Sequence, residues 1–149
     1  MLRIFGIDPG SHRTGWGVID AEGTRFKRVA SGTLVAKKGS LSSRLCQIAD
    51  GIDKLIANYE PTSGAIESIF HAKNSQSALK LGHARGVALL CMARFDLEIS
   101  EYSPTQVKQA MTGAGRASKE QLAQMIKMIL AKLWAFGELI RVVISFYQF

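Results

Sequence analysis

Residues 2–11 read Leu2-Arg3-Ile4-Phe5-Gly6-Ile7-Asp8-Pro9-Gly10-Ser11, and this stretch decides the fold. A short apolar run that is closed by Pro and Gly is typical of a buried core strand. An ionised side chain at the end of such a strand is costly to bury unless it is paired or bound to a metal ion. Because open α/β sheets bind their ligands outside the carboxyl ends of the strands, Asp8 is predicted to lie in a functional cleft.

The rest of the pattern predicts one α/β domain with a mixed sheet. Residues 41–59 carry apolar side chains at helical spacing, with Ser40 as the N-cap and Pro61 as the stop. Gly82 and Gly86 lie four residues apart in a later helix and indicate close approach of another backbone, such as a dimer partner. We predict strands at residues 2–8, 14–20, 25–34, 63–67 and 98–102, and helices at residues 41–59, 77–95, 105–111 and 118–130.

The amino-acid composition says more about the binding partners of the protein than about its fold. The 149 residues are 47% hydrophobic and 21% charged, which is typical of one globular domain. The net charge of +7 favours nucleic acid as a partner and a membrane surface second, while a basic protein without a polyanionic partner remains open. Cys46 and Cys91 fall in predicted helices without metal-like spacing, so we expect two core thiols in a reducing compartment. No secretion signal is apparent, and the expected location is cytoplasmic.

Asp8 and Glu67 each end a predicted strand. If the two strands are neighbours, the carboxylates converge, repel each other and raise one pKa unless a cation lies between them. Mg²⁺ is the natural occupant because it prefers oxygen ligands and accepts one or two carboxylates together with substrate phosphate. Two such ions about 4 Å apart activate water and stabilise the leaving oxygen in phosphodiester hydrolysis. The alternative is that Asp8 only caps a turn and Glu67 faces solvent.

A basic and aromatic block follows Glu67. Phe70 stands near Lys73 and Asn74, and an exposed Phe stacks on a base while cations hold the phosphates. The alternative for Phe70 is a place in the core. Lys119 lies in the first turn of a predicted helix, where the helix dipole disfavours a cation, and this favours an anionic partner. Four basic residues are candidates for contact with a nucleic-acid backbone, or alternatively are solvated surface residues: Arg85, Lys108, Arg116 and Lys119.

Five blocks, in the same order, resemble the RuvC family of Holliday-junction resolvases. Residues 5–17 resemble the opening block of the family, and residues 65–74 resemble the second block, which contains Glu67 and Phe70. The remaining blocks are residues 77–86, 104–108 and 113–119. The resemblance covers about residues 1–130, and the conserved order of five blocks makes it specific. The opening Asp-Pro-Gly-Ser alone is also similar to actin-like phosphate-binding domains.

The resemblance implies a ribonuclease H-like fold, with a mixed five-stranded sheet flanked by helices, and a homodimer. Each subunit would nick one of two strands of like polarity at a four-way DNA junction, using Mg²⁺ or Mn²⁺. Asp8 and Glu67 would be metal ligands, and Phe70 would wedge or stack at the junction centre. Lys108 and Lys119 would lie near the scissile phosphate, where Lys119 stabilises developing negative charge. The family works with a junction-migrating motor in recombinational repair.

Residues 131–149 depart from the family pattern. The family completes its metal site with two further acids, or a His and an Asp, spaced three apart on a C-terminal helix. Leu139 and Val142 occupy the expected positions, and Glu138 is the only acid beyond residue 130. We therefore expect a nuclease domain at residues 1–130 and a divergent hydrophobic tail at residues 131–149, produced by a frameshift, a truncation or a wrongly predicted gene end.

Three function classes remain open from the sequence. The first is a junction-resolving nuclease, whose activity in this chain is impaired by the missing acids. The second is a junction-DNA-binding protein without catalysis, which metal-dependent nicking would separate from the first. The third is an actin-like nucleotide-binding domain, which the small size and the basic block after Glu67 disfavour.

Overall fold

A computed structural model describes residues 1–22, 25–68 and 75–102 of the chain. It contains five strands, β1 (Leu2–Asp8), β2 (Arg13–Glu22), β3 (Arg25–Val35), β4 (Ser63–Glu67) and β5 (Glu98–Tyr102), and two helices, α1 (Leu41–Tyr59) and α2 (Ser75–Arg94). The predicted bounds of β1, α1, β4 and β5 are confirmed. The predicted helices at 105–111 and 118–130, and the tail at 131–149, lie outside the described residues.

The five strands form one mixed sheet in the order β3-β2-β1-β4-β5. β2 pairs antiparallel with both β1 and β3, and its ladder with β3 continues to the pair Glu22–Arg25, so the hairpin is longer than predicted. β4 pairs parallel with β1 and with β5. The crossover helices α1 and α2 make these parallel pairings possible, because parallel neighbours need a long connection. The predicted mixed five-stranded α/β sheet is therefore confirmed.

Helix α1 has the ends that the sequence predicts. The Ser40 hydroxyl accepts a hydrogen bond from the Ser43 N–H at 3.2 Å, which satisfies one of the free donors of the first turn. Glu60 adopts a left-handed conformation with φ of 47° and closes the helix just before Pro61. The buried residues of α1 recur every four positions and therefore form one apolar face, namely Ile48, Ile52 and Ile56.

The core lies between one face of the sheet and the two helices. Phe5 and Ile7 of β1 are 0% and 3% exposed and pack in one cluster with the apolar face of α1 and with Met92 of α2. Gly64 lets α2 approach β4 closely, because a Cβ at this position would lie 2.6 Å from the Met92 sulfur. Successive strand residues point to opposite faces, so Asp8 projects from the face opposite Ile7.

The two cysteines differ in burial. Cys91 is 1% exposed, as predicted, and belongs to the core cluster. The prediction for Cys46 is wrong, because Cys46 is exposed. The physical reason is helix geometry: Cys46 lies two positions from Ile48, about 200° around α1, and therefore faces away from the sheet. Across the described ranges, neither helix is long and apolar enough to cross a bilayer.

Candidate metal and nucleic-acid site

Asp8 and Glu67 end two neighbouring parallel strands. Ile7 of β1 stands opposite Ile66 of β4, and one further step along both strands places Asp8 beside Glu67. Both side chains therefore project from the same face of the sheet, opposite to the buried Ile7 and Ile66. The structure brings together the two acids that the sequence assigns to the site, at the carboxyl ends of their strands.

Burial and mutual repulsion make this acid pair electrostatically unfavourable. Burial, and then the charge of Glu67, raise the pKa of Asp8 to about 7. Burial also raises the pKa of the Glu67 carboxyl. These are two of the causes that favour the neutral form of a carboxyl group, namely loss of hydration and a like charge nearby. A positive charge placed between the two carboxyl groups would oppose both effects.

A turn anchored by Thr14 holds the backbone that follows Asp8. Thr14 is 0% exposed, and its hydroxyl donates to the Gly10 carbonyl at 2.9 Å and accepts from the Gly10 N–H at 3.2 Å. A Cβ at position 10 would lie 2.2 Å from the Arg13 carbonyl oxygen, so the turn requires glycine there. Arg44 of α1 donates from Nε to the Ser11 carbonyl at 3.0 Å. The loop after Asp8 is thereby fixed from both sides.

Arg85 of α2 reaches the end of β4 from the helix-covered face. Its Nε donates to the main-chain carbonyl of Glu67 at 3.0 Å, and its Nη2 forms an ion pair with the Glu101 carboxylate of β5. The Arg85 side chain is 16% exposed and that of Glu101 is 52% exposed. The sequence singled out Arg85 for contact with DNA, but no sequence signal connected it to Glu101 or to the Glu67 backbone. Thr14 was likewise missed, although a Thr four residues after Gly10 in a tight turn is a usable signal.

The acid pair fits a hard divalent cation in its chemistry. Two carboxylates on one sheet face offer the oxygen ligands that Mg²⁺ and Mn²⁺ accept, and a bound cation would favour the ionised form of both. In residues 1–22, 25–68 and 75–102 there is no cluster of three or more His, Cys, Asp and Glu side chains that could hold a metal. The other predicted site residues lie outside these ranges: Phe70, Lys73, Lys108, Arg116 and Lys119.

Comparison with known proteins gives consistent matches along most of the chain. The family model described as crossover junction endodeoxyribonuclease RuvC matches residues 4–135. The chain is 44% identical over 133 residues to the crossover junction endodeoxyribonuclease RuvC of Rhizobium johnstonii, which covers 89% of this chain and 79% of the relative. It is 47% identical over 130 residues to the RuvC of Sorangium cellulosum, with 87% and 73% covered.

Solved structures give the same answer for the fold. RuvC of T. thermophilus in complex with a Holliday junction substrate superposes with a TM-score of 0.78 at 28% identity, covering 88% of this chain and 81% of that chain. The yeast mitochondrial Holliday junction resolvase Ydc2 superposes with a TM-score of 0.61 at 14% identity, covering 83% and 60%, and supports the fold alone. The expected ribonuclease H-like fold is confirmed. Because the family model spans most of the chain and the relatives exceed 40% identity, this protein belongs to the RuvC family of crossover junction endodeoxyribonucleases.

Proposed function

We propose that this chain binds four-way DNA junctions and hydrolyses a phosphodiester bond in them, with Asp8 and Glu67 at the reacting site. The RuvC family consists of hydrolytic nucleases of crossover junctions, and a solved relative carries a Holliday junction substrate. The observation that carries the proposal for this chain is the register of β1 and β4, which sets Asp8 beside Glu67 on one sheet face.

Nucleases of this family are metal-dependent, and we propose Mg²⁺ as the ion, with Mn²⁺ as the alternative. Asp8 and Glu67 would hold it. A bound divalent ion would supply Lewis-acid stabilisation of negative charge on the phosphate. The chain's own contribution is to keep two half-buried carboxyl groups together, where a bound cation would favour their ionised forms.

The remaining predicted residues take their proposed roles from the family resemblance. Lys119 would stabilise negative charge that develops at the scissile phosphate. Phe70 would stack or wedge at the junction centre, where an aromatic ring can replace a lost base–base contact. Three basic residues are proposed to contact the DNA backbone together with Lys119, namely Lys73, Lys108 and Arg116. Arg85, the other contact predicted from the sequence, lies within the described residues and already has two protein partners.

The proposed rate of cutting is low. Leu139 and Val142 occupy the positions where the family pattern has its further acids. Two carboxylates hold one ion weakly and do not position two, and a loss of about 4 kcal/mol in transition-state stabilisation slows a reaction roughly a thousandfold. The second candidate function is therefore a junction-binding protein without effective catalysis. The division into a nuclease domain at residues 1–130 and a divergent tail at 131–149 belongs to the same proposal.

A homodimer is proposed through the outer face of α2. Leu79 and Leu90 are 65% and 55% exposed, and they flank Gly82 and Gly86 on one helix face. An ideal Cβ on either glycine meets no atom of the described residues within 4 Å, so this face has room for a second backbone. Two-fold symmetry would supply two equivalent sites for two equivalent cuts. Association with a junction-migrating motor and a cytoplasmic location are further parts of the proposal.

Gel-shift and nicking assays on one synthetic four-way junction test the proposed function. We expect tight, junction-selective binding in EDTA and slow nicking that requires Mg²⁺ or Mn²⁺. Asp8→Asn and Glu67→Gln should abolish nicking and preserve binding. Glu98→Gln, an exposed acid at the opposite end of β5, is the matched control and should nick like the wild type. Equal affinity for the junction and a linear duplex would contradict the substrate proposal, and binding without nicking would select the second candidate.

A further inference from the structure

We infer that Arg85, held by Glu101, is a positioning residue for the acid pair: it fixes the main chain of Glu67 and thereby the direction of the Glu67 carboxylate toward Asp8. This inference rests on the proposed metal site. It assigns to Arg85 a role other than direct contact with a DNA phosphate.

The first step is the location of the Arg85 guanidinium. β4 ends at Glu67, whose last ladder partner is Tyr102 of β5. The Glu67 carbonyl therefore lies where the regular ladder stops, and Arg85 Nε donates to it at 3.0 Å. A main-chain carbonyl at the end of a strand needs a donor from outside the ladder or from solvent. Arg85 is such a donor for Glu67.

The second step is that Arg85 and the Glu67 carboxylate lie on opposite faces of the sheet. Arg85 comes from α2, on the face that holds Ile66, whereas the Glu67 carboxylate projects from the other face beside Asp8. The hydrogen bond of Arg85 is to the main-chain carbonyl of Glu67, so its action on the acid pair passes through the backbone.

The third step is the role of Glu101. This residue lies on β5 opposite Ile66 and pairs with Arg85 Nη2, while Nε of the same planar group reaches the Glu67 carbonyl. One guanidinium therefore joins the carboxyl ends of β4 and β5. The ammonium of a lysine is a single point of charge and lacks the fixed fork that serves two acceptors in different directions. Contacts of this kind behind a metal ligand typically change metal affinity by about ten- to a hundredfold.

Metal affinity in the absence of DNA provides the principal test. We expect Arg85→Gln to weaken Mn²⁺ binding, measured by calorimetry on the full chain, by about tenfold or more. Arg85→Lys, which keeps the charge, should not restore the affinity. Glu101→Gln should give a smaller loss in the same direction. Arg94→Gln is the control, because Arg94 belongs to the same helix, is 58% exposed and pairs with Asp53. Junction affinity in EDTA should be similar in all four variants.

A second, metal-free measurement examines the anchored peptide itself. The Ser68 N–H belongs to the same peptide plane as the Glu67 carbonyl, so ¹⁵N relaxation of Ser68 reports the motion of that plane. We expect a lower order parameter for Ser68 in Arg85→Gln and in Glu101→Gln, and the wild-type value in Arg94→Gln. If Arg85→Gln does not fold, Glu101→Gln decides the question by the same two measurements.

The outcomes separate this inference from the proposed function. Wild-type Mn²⁺ affinity together with an unchanged Ser68 order parameter in Glu101→Gln and Arg85→Gln overturns the positioning role. A weaker junction complex in EDTA with unchanged Mn²⁺ affinity also overturns it and assigns Arg85 to the phosphate backbone. If the wild-type chain binds no Mn²⁺, the proposed metal site is wrong, and the Ser68 measurement still decides whether Arg85 anchors the peptide.

Discussion

Asp8 stands beside Glu67 at the ends of two parallel strands, and the charge of Glu67 adds to burial in raising the pKa of Asp8 to about 7. Each carboxyl group therefore opposes the ionisation of the other. Such an arrangement destabilises the metal-free protein near neutral pH, and it is tolerated where function requires the two groups together.

The pH dependence of stability should reflect this cost. A carboxyl group whose folded pKa lies above its unfolded value stabilises the fold at low pH, and this contribution is lost as the pH rises through the folded pKa. For Asp8 this contribution is lost as the pH rises from the ordinary carboxyl pKa of 3.8 to the folded pKa of about 7. We expect Asp8→Asn to be more stable than the metal-free wild type at pH 8, by roughly 1–2 kcal/mol after allowance for partial solvation.

Urea unfolding in EDTA at several pH values measures this difference. The stability difference should shrink steadily as the pH falls and disappear below about pH 3, where Asp8 is neutral in both the folded and the unfolded state. Glu98→Gln, at the opposite end of β5, should follow the wild-type profile. A constant difference between Asp8→Asn and wild type across the whole pH range would contradict the assignment.

Divalent ions should stabilise the protein in a pH-dependent manner. A ligand that binds only the folded state raises the melting temperature, and the increase grows with the logarithm of its concentration divided by its Kd. Mn²⁺ or Mg²⁺ should therefore raise the melting temperature at pH 8 more than at pH 5, because protons compete for Asp8 at the lower pH. Thermal melts with and without EDTA measure the shift, which should vanish in Asp8→Asn and persist in Arg94→Gln.

The Thr14 hydroxyl should contribute to stability through the turn after Asp8. Thr14→Val keeps the shape of the side chain but leaves the half-buried N–H and C=O of Gly10 without the Thr14 hydroxyl. We expect a loss of about 1–3 kcal/mol in the free energy of unfolding, measured by urea titration. Thr14→Ser retains the hydroxyl and serves as the control. A loss in Thr14→Val no larger than that in Thr14→Ser would show that the two hydrogen bonds carry little weight.

The outer face of α2 should determine the oligomeric state. Gly86→Arg adds a long charged side chain where an added Cβ meets nothing within the described part of the same chain. We therefore expect the variant to fold normally and to sediment as a monomer, while the wild type sediments as a dimer. Asn58→Arg, on the exposed surface of α1, should remain dimeric. A dimeric Gly86→Arg variant would exclude this helix face from the interface.

Local sequence signals predicted the elements better than the contacts between them. The apolar run that ends at Asp8, the N-cap Ser40 and the stop at Pro61 are local features, and the structure confirms the elements they delimit. Their agreement reflects periodicity and capping, which act within a few residues.

Contacts between residues that are distant in the sequence could not be predicted from the sequence alone. The sequence did not predict that β1 pairs with β4, because register is set by how two distant strands meet in the folded chain. The ion pair of Arg85 with Glu101 joins residues 16 positions apart on a helix and a strand, and no periodicity identifies it. The prediction that Cys46 is buried was wrong because it rested on the presence of Cys46 in a helix and not on its angular position relative to the buried Ile48.

Within a single turn, helix α2 presents Gly86 and Arg85 to different surroundings. Gly86 lies on its exposed side, and the neighbouring Arg85 extends to the end of β4. If the exposed side of α2 joins two subunits, this helix contacts the partner subunit and, through Arg85, also holds the end of β4 that carries Glu67. Loss of the partner subunit would then change the position of Glu67 through the Arg85 side chain. This coupling would help to restrict DNA cleavage to the dimer.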